Sequence, residues 1–220
     1  MTICNICQSS DYESFNGREN ILCRSCKSLE RHRLVRWALE KLGYLSSVHG
    51  EKRVLHLAPE EMTHRYLAHS IGSGYICSDL TPSKYPHAKC LKLALPESFD
   101  IFPDSYFDLI LHNHVLEHIP GDYRDHLAQF VRILRPQGHM VFTLPGISSA
   151  TVTVQGGEYL PSDEDRRRIH GQSDHYKSFG YDLVEWFKST PGRFDFMEIP
   201  VEVREKLRAP TDPIFTFSRH

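Results

Sequence analysis

Short apolar segments alternate with amphipathic segments along the chain from residue 53 onward. A short apolar run bounded by turn residues is typical of a buried strand, and apolar residues three or four positions apart are typical of a helix. Strands that alternate with helices form βαβ units, so the pattern predicts an α/β fold built on a parallel sheet. The predicted strands cover residues 53–57, 75–78, 90–93, 107–111 and 138–144, and the predicted helices include residues 60–70 and 121–134.

The C-terminal part of the chain follows a different pattern. Residues 148–178 are polar and mixed, and they precede a predicted amphipathic helix around Trp186. Two further strands are predicted within residues 193–203 and 213–217, with no long helix between them. Strands so close together predict an antiparallel hairpin at the edge of the sheet.

Four of the six cysteines form two C-x-x-C pairs, Cys4 with Cys7 and Cys23 with Cys26. Two residues between cysteines allow one tight turn to direct both thiolates at one ion, and two such turns complete a tetrahedral Zn²⁺ site. The residues between the pairs, 8–22, are long enough for a short hairpin. Because sulfur would fill every position on the ion, we expect residues 1–27 to be a structural zinc ribbon; a redox-active dithiol pair is the alternative.

A predicted helix and linker, residues 28–50, connect this ribbon to the main domain, residues 51–220. The helix carries several basic residues, including Arg31, Arg33 and Arg36. Such a cluster is suited to RNA or to an anionic substrate. The alternative is an ordinary solvated helix face.

Composition narrows the class of protein. The chain has 220 residues, 40% of them hydrophobic, and its 26 Lys and Arg against 28 Asp and Glu give a net charge of −2. These values are ordinary for one globular domain, they exclude a disordered chain, and they give no support for a globally basic nucleic-acid binder. No apolar run is long enough to span a bilayer and no signal-peptide core precedes the cysteines, so we expect a cytoplasmic protein that does not bind membranes.

The residues that directly follow the predicted strands carry the candidate chemistry. In an open α/β sheet, ligands bind beyond the carboxyl ends of the strands. Ala58, Pro59 and Glu60 follow the first strand, and Asp79 follows the second, about 20 residues further on, where a carboxylate can accept hydrogen bonds from ribose hydroxyls. The fourth strand leads into the polar stretch HNHVLEH at residues 112–118.

At these residues the chain resembles the class I S-adenosylmethionine-dependent methyltransferases, in particular the type 11-like group. The resemblance rests on FDLILHNHVLEHIP and RILRPQGHMVFTLP, and it extends over residues 53–220. The cysteine ribbon followed by LERHR, with LHLAPE and the GQSDH segment, is similar to a bacterial subgroup of these enzymes. The resemblance implies a Rossmann-like seven-stranded sheet with helices on both faces, S-adenosylmethionine as cofactor, and small molecules or saccharide precursors as substrates.

The chain departs from the family at the first motif. The family's acidic residue followed by alternating glycines is replaced here by residues 56–61, HLAPEE, which contain no glycine. We expect Pro59 to shape this loop and Glu60 to face the cofactor's ammonium or sulfonium group; alternatively, Glu60 only begins the next helix. The residues expected to contact the cofactor are Ala58, Pro59, Glu60, Asp79, Leu80, Leu93, Asn113 and His114.

Methyl transfer needs a base only when the acceptor must lose a proton, and histidine is suited to that role. His114 is expected to face the space between cofactor and acceptor, and Asp174 with His175 lie in the segment expected to cap the cleft, so these three residues are the catalytic candidates. Glu117 and His118 are expected to hydrogen-bond to each other; a divalent ion held by the two is the weaker alternative, since two ligands alone do not make a metal site. His56 is expected to be a core histidine.

The sequence leaves three functions open. The first is a methyltransferase for a hydroxyl or amine of a small metabolite or saccharide precursor. The second is an RNA or protein methyltransferase in which the ribbon binds the macromolecule, and the third is a non-catalytic zinc-ribbon adaptor with a degenerate cofactor site.

Overall fold

The described residues form a small N-terminal unit and a larger α/β domain. The structure is a computed structural model that describes residues 2–45, 52–209 and 213–220. The N-terminal unit consists of β1 (Tyr12–Phe15), β2 (Arg18–Cys23) and helix α1 (Glu30–Lys41). The two strands pair antiparallel, so the hairpin predicted between the cysteine pairs is present.

The α/β domain alternates strands with helices, as the hydrophobic pattern predicts. Its elements are β3 (Val54–Leu57), α2 (Glu61–Ile71), β4 (Tyr75–Asp79), β5 (Leu91–Lys92), β6 (Phe107–Asn113), α3 (Tyr123–Ile133), β7 (Leu134–Thr143), α4 (Asp163–His170), α5 (Asp182–Ser189), β8 (Gly192–Phe196), α6 (Val201–Leu207) and β9 (Phe215–Arg219). Among the described residues, seven strands form one sheet in the order β5-β4-β3-β6-β7-β9-β8. Strands β3 to β7 run parallel, and β9 pairs antiparallel with both β7 and β8. The predicted α/β fold with a Rossmann-like sheet is confirmed.

The closing strands pair antiparallel as predicted, but they are not a simple hairpin. Residues 193–203 do not form one strand, because β8 ends at Phe196 and the helix α6 begins directly after Pro200. Pro200 is the N-cap of α6, and because proline has no N–H to donate to a strand ladder it does not continue β8. The return strand β9 then lies between β7 and β8, so β8 rather than β9 is the edge strand.

Helices cover both faces of the sheet because the side chains of its central strands alternate between the faces. In β6, Ile110 belongs to the core formed with α3 and α5, whereas Leu109 and Leu111 belong to the core formed with α1 and α2. These three side chains are fully buried. A strand buried on both sides is characteristic of parallel sheets with helices on each face.

The basic residues of α1 do not form an open patch. Arg33 is fully buried and donates hydrogen bonds to the backbone carbonyls of Ser28, Ile21 and Leu207. It therefore ties the hairpin and α1 to α6 of the main domain. For Arg33, both the expected basic surface and the alternative of a solvated face are wrong. The hairpin, α1 and α6 pack around its guanidinium group and bury it.

No helix within the described residues combines the length and the apolar character that crossing a bilayer requires.

Candidate active site

A cavity of about 450 Å³ opens at the carboxyl ends of β3, β4 and β6. The chain leaves β3 toward one edge of the sheet and later returns on its other side as β6, and open α/β sheets bind ligands at such a reversal. The volume lies in the range of small-molecule pockets. Part of the wall is apolar, with Leu57, Leu93 and Ile119 among its residues. The polar wall residues include Asp79, His114, His118, Asp174 and Tyr176.

Asp79 is the last residue of β4, and its carboxylate stands at the cavity wall. Its Oδ1 accepts a hydrogen bond from the backbone N–H of Thr81 at 2.7 Å, which fixes the side chain just beyond the strand. Burial and the nearby Asp79 carboxylate raise the pKa of the Tyr85 hydroxyl, so Tyr85 remains a neutral donor beside the acid. The neighbouring Leu80, 61% exposed, and the buried Leu93 complete this side of the cavity.

The glycine-free loop after β3 takes a backbone conformation that glycine normally supplies. Ala58 has φ +48°, in the left-handed region, and it lines the cavity. A residue with a Cβ is strained in this conformation, and such strain collects at functional sites. Pro59 is buried behind the wall, where its carbonyl accepts a hydrogen bond from His87 Nε2 at 2.8 Å. The loop thus keeps the backbone shape without the glycines.

Glu60 joins the N-terminal unit to this loop. Its Oε1 accepts a hydrogen bond from Arg31 Nε at 2.9 Å and lies 2.9 Å from His32 Nε2. The Nδ1 atom of His32 accepts the backbone N–H of Leu29, so the ring proton is on Nε2, directed at Glu60. Burial alone would raise the pKa of Glu60, but His32 and Arg31 hold it far below its ordinary range. The carboxylate is therefore charged and already neutralised by side chains of α1.

Asn113, at the end of β6, reaches the same carboxylate from the other side. Its Nδ2 lies 3.3 Å from Glu60 Oε2, and its Oδ1 accepts a hydrogen bond from Thr143 Oγ1 at 3.2 Å. Neither Glu60 nor Asn113 is among the described residues that line the cavity. The structure thus places both one step behind the wall, where they fix the ends of β3 and β6.

His114 follows β6 and faces the cavity opposite β4. Its φ is +51°, and its Nδ1 lies 3.3 Å from Oε1 of Glu117, a carboxylate with no exposed surface. The expected hydrogen bond between Glu117 and His118 is not formed. Instead, Nδ1 of His118 donates to the backbone carbonyl of Asp174 at 2.8 Å, because the 3₁₀ turn Leu116–His118 directs its side chains to different neighbours.

The segment between α4 and α5 covers one side of the cavity. Asp174 and Tyr176 line it, and the N–H of Tyr176 donates to the carbonyl of Glu117 at 2.8 Å, which fixes the segment against the turn after β6. His175 points the other way, into a second cavity of about 280 Å³ that is also lined by Lys177. Burial lowers the pKa of His175, which favours the neutral ring. Of the three catalytic candidates, His114 and Asp174 therefore share the first cavity, and His175 lies between the two cavities.

Comparison with protein families decides the assignment. The sequence pattern described as a methyltransferase domain matches residues 54–190, more than half of the chain. The chain belongs to the methyltransferase domain family. With its Rossmann-like sheet it is a class I S-adenosylmethionine-dependent methyltransferase, and the adaptor alternative is set aside.

Solved structures with the same fold include other methyltransferases. A SAM-dependent methyltransferase from Archaeoglobus fulgidus is 16% identical, with a TM-score of 0.55 over 86% of this chain and 94% of the other. A structure described as a complex of the Haloferax volcanii Trm112 methyltransferase activator with a putative methyltransferase is 15% identical, with a TM-score of 0.51 over 87% of this chain and 94% of the other. At such identities the similarity shows the fold. No curated protein gives a significant sequence match.

Sequence reasoning missed several residues of this methyltransferase that the structure brings to the cavity. Lys84 and Tyr85 reach the wall from the loop after Asp79, and Tyr176 reaches it from the capping segment. Their only sequence signal is proximity to Asp79 and Asp174. Polar residues in loops are too common for that signal to select them.

The cysteine quartet, defined as Cys4, Cys7, Cys23 and Cys26, is a second constellation in the methyltransferase. Its sulfur atoms all lie within 4.8 Å of one another, with Cys4–Cys26 at 3.7 Å and Cys7–Cys23 at 3.6 Å. A tetrahedral zinc ion with Zn–S bonds of about 2.3 Å sets neighbouring sulfurs about 3.8 Å apart. The donor set and the two shortest sulfur–sulfur distances therefore fit one zinc ion.

Proposed function

We propose that the 450 Å³ cavity binds S-adenosylmethionine and that the protein methylates a hydroxyl or amine of a small molecule held next to His114. The observation that carries this proposal is that Asp79 and His114, from strands on opposite sides of β3, stand in the wall of one cavity. When bound there, the cofactor supplies a methyl carbon activated by the positively charged sulfonium.

Asp79 is placed to accept hydrogen bonds from both ribose hydroxyls. Thr81 already holds one of its oxygens, so the carboxylate is oriented before the ligand arrives. Apolar residues such as Leu93 offer a surface for the adenine ring. Preorganised contacts of this kind raise the rate chiefly by holding the reacting atoms in line.

His114 is placed to take the proton that a hydroxyl or ammonium acceptor must lose. Its Nδ1 faces the buried Glu117 carboxylate at 3.3 Å, which leaves Nε2 for the acceptor. Imidazole is a common general base for such a proton. Asp174, on the opposite side of the cavity mouth, is placed to bind a polar group of the acceptor.

The size of the cavity and the contacts of the arginines on α1 favour a small acceptor over RNA. The cavity of about 450 Å³ that His114 and Asp174 line lies in the size range of small-molecule pockets. The arginines that RNA binding would require are engaged elsewhere: Arg33 with backbone carbonyls and Arg31 with Glu60.

We also infer that the cysteine quartet holds a structural Zn²⁺. Sulfur would occupy every coordination position, so the ion would stabilise the hairpin and leave no open site for chemistry.

Calorimetry with S-adenosylhomocysteine, the demethylated product, tests the cofactor assignment. The variant Asp79→Asn keeps the oxygen that caps Thr81 but loses the charge, and we expect binding to weaken at least about tenfold, the value of a hydrogen bond to a charged group. Asp195→Asn, on the edge strand β8, is the matched control and should bind as the wild type does. Equal affinity of Asp79→Asn and wild type for S-adenosylhomocysteine would show that Asp79 does not bind the cofactor.

A further inference from the structure

Three side chains with metal-binding groups converge beside the cavity: Glu117, His118 and His175. We call them the Glu/His cluster. One ligand atom from each lies within 4.8 Å of the other two. Glu117 and His118 come from the 3₁₀ turn after β6, and His175 comes from the capping segment, so the cluster exists only when these distant parts of the chain fold together.

Glu117 is buried without a hydrogen-bond partner for its carboxyl group. The side chain has no exposed surface, and neither carboxylate oxygen accepts a hydrogen bond within the described part of the chain. The nearest ring nitrogen is Nδ1 of His114, at 3.3 Å. Because an unpaired buried carboxylate is strongly unfavourable, the position calls for a cationic partner.

The two histidines are oriented as metal ligands are. His118 Nδ1 donates to the carbonyl of Asp174 at 2.8 Å, and His175 Nδ1 donates to the carbonyl of His170 at 3.2 Å. A ring that uses its Nδ1 proton in this way presents the lone pair of Nε2. Metal-binding histidines characteristically donate their other ring N–H to a backbone carbonyl or a carboxylate, which fixes both tautomer and direction.

The cluster lies between the two cavities. His118 lines the cavity assigned to the cofactor, and His175 lines the second cavity. An ion held here would touch both spaces.

We propose that Glu117, His118 and His175 bind one divalent transition-metal ion, distinct from the zinc of the cysteine quartet. Two imidazoles and one carboxylate favour ions such as Mn²⁺, Fe²⁺, Co²⁺ or Zn²⁺ over Mg²⁺ and Ca²⁺, which prefer oxygen. Ligand atoms on such an ion, at about 2.1 Å from it, lie roughly 3–4 Å apart, so small side-chain rotations complete the site. His118, at the cavity wall with 34% of its side chain exposed, has room to make one.

Three protein ligands would leave coordination positions open for an oxygen of the acceptor. An oxygen of the acceptor that bound there would be held next to His114 and its hydroxyl proton made more acidic. This role rests on the proposed function, whereas binding of the ion does not.

Equilibrium dialysis of the full zinc-loaded chain against Co²⁺ tests the proposal, with bound metal counted by mass spectrometry. We expect one Co²⁺ per chain in addition to the zinc, with a visible spectrum that lacks the thiolate-to-cobalt bands of a cysteine site. The variants His118→Asn, His175→Asn and Glu117→Gln should each weaken Co²⁺ binding at least tenfold. His69→Asn, an exposed histidine on α2, is the matched control and should leave the affinity unchanged.

Each variant is also tested for S-adenosylhomocysteine binding, which reports both folding and the cofactor site. Wild-type protein that binds this ligand but takes up no second ion would overturn the metal site and leave the proposed function standing. Co²⁺ uptake that survives all three substitutions would overturn it as well. Wild-type protein that takes up one Co²⁺ but does not bind S-adenosylhomocysteine would instead retain the metal site and reject the cofactor assignment, provided that circular dichroism shows the variants without Co²⁺ to be folded.

Discussion

The cysteine quartet and the Glu/His cluster are two sets of candidate metal ligands with opposite character in one chain. The quartet has four like ligands on a local hairpin, away from the cavity, and its sulfurs already have the spacing of a tetrahedral ion. The cluster has three unlike ligands from distant segments, at the junction of two cavities. A closed set of ligands serves folding and an open set serves chemistry. The presence of metal-binding side chains therefore does not by itself distinguish a structural site from a functional one. The number of ligands and their position relative to the cavity make that distinction.

The largest effect should follow from breaking the closed set. Cys23→Ser removes one ligand of a buried quartet, and a structural zinc contributes directly to the free energy of folding. We expect unfolding free energy to fall by more than about 3 kcal/mol, with loss of zinc, in chemical denaturation and metal analysis. Cys90→Ser, a cysteine outside the quartet, should change stability by less than about 1 kcal/mol. Similar losses in both variants would contradict a structural role for the quartet.

The second effect is the loss of stability in acid that two core histidines should cause. His56 and His112 are fully buried, and burial lowers the pKa of each to about 3. Between about pH 3 and about pH 6.5 the unfolded state binds protons that the folded state does not bind. The unfolding free energy is therefore highest above about pH 6.5 and decreases as the pH falls toward 3. At pH 5 each histidine should cost about 2 kcal/mol of unfolding free energy.

The variant His112→Phe tests the contribution of His112 to this loss of stability in acid. The ring of His112 stacks between Phe130 and Phe142 at 5.4 and 5.1 Å, and neither of its nitrogens has a hydrogen-bond partner among the described residues. A phenyl ring fits that stack without a titrating group. Denaturation at pH 7 and pH 5 should show a smaller acid loss in the variant, by about 2 kcal/mol. An acid loss equal to that of the wild type would show that His112 is not held neutral.

The smallest effect should have the opposite sign from the first. In metal-free protein, Glu117→Gln keeps the shape and removes a buried carboxyl group that has no hydrogen-bond partner among the described residues, so we expect the unfolding free energy to rise by about 1 kcal/mol. Functional groups often carry such a stability cost. Thermal denaturation with and without Co²⁺ measures it, and Co²⁺ should stabilise the wild type only. A clear loss of stability in metal-free Glu117→Gln would place Glu117 with the structural residues.

Local patterns made much of this architecture predictable. The alternation of strands and helices, the spacing of Cys4, Cys7, Cys23 and Cys26, and the position of Asp79 after a strand are all read over a few residues. The structure brings the quartet together and puts Asp79 at the cavity wall. The roles assigned to these residues stay predictions until they are measured.

Contacts between distant segments could not be predicted from the sequence. Arg33 reads as a surface cation, yet the carbonyl of Leu207 lies against it because α6 returns to the ribbon. Glu117 and His118 read as two ligands, and only the fold adds His175. Likewise, a loop without glycine reads as a lost cofactor motif until Ala58 is found with a positive φ. In each case the deciding partner comes from another part of the chain or from the backbone, which a residue pattern does not encode.

The contacts of Glu60 with Arg31 and His32 have an evolutionary consequence. Arg31 and His32 of α1 hold a charge beside the cavity, and α1 shares a hydrophobic core with α2, so this helix is not an exchangeable module. Recombination that carried residues 53–220 alone into another gene would leave Glu60 without its Arg31 counterion and its His32 donor, and the outer side of α2 in water. Helix α1 and the sheet should therefore be inherited together.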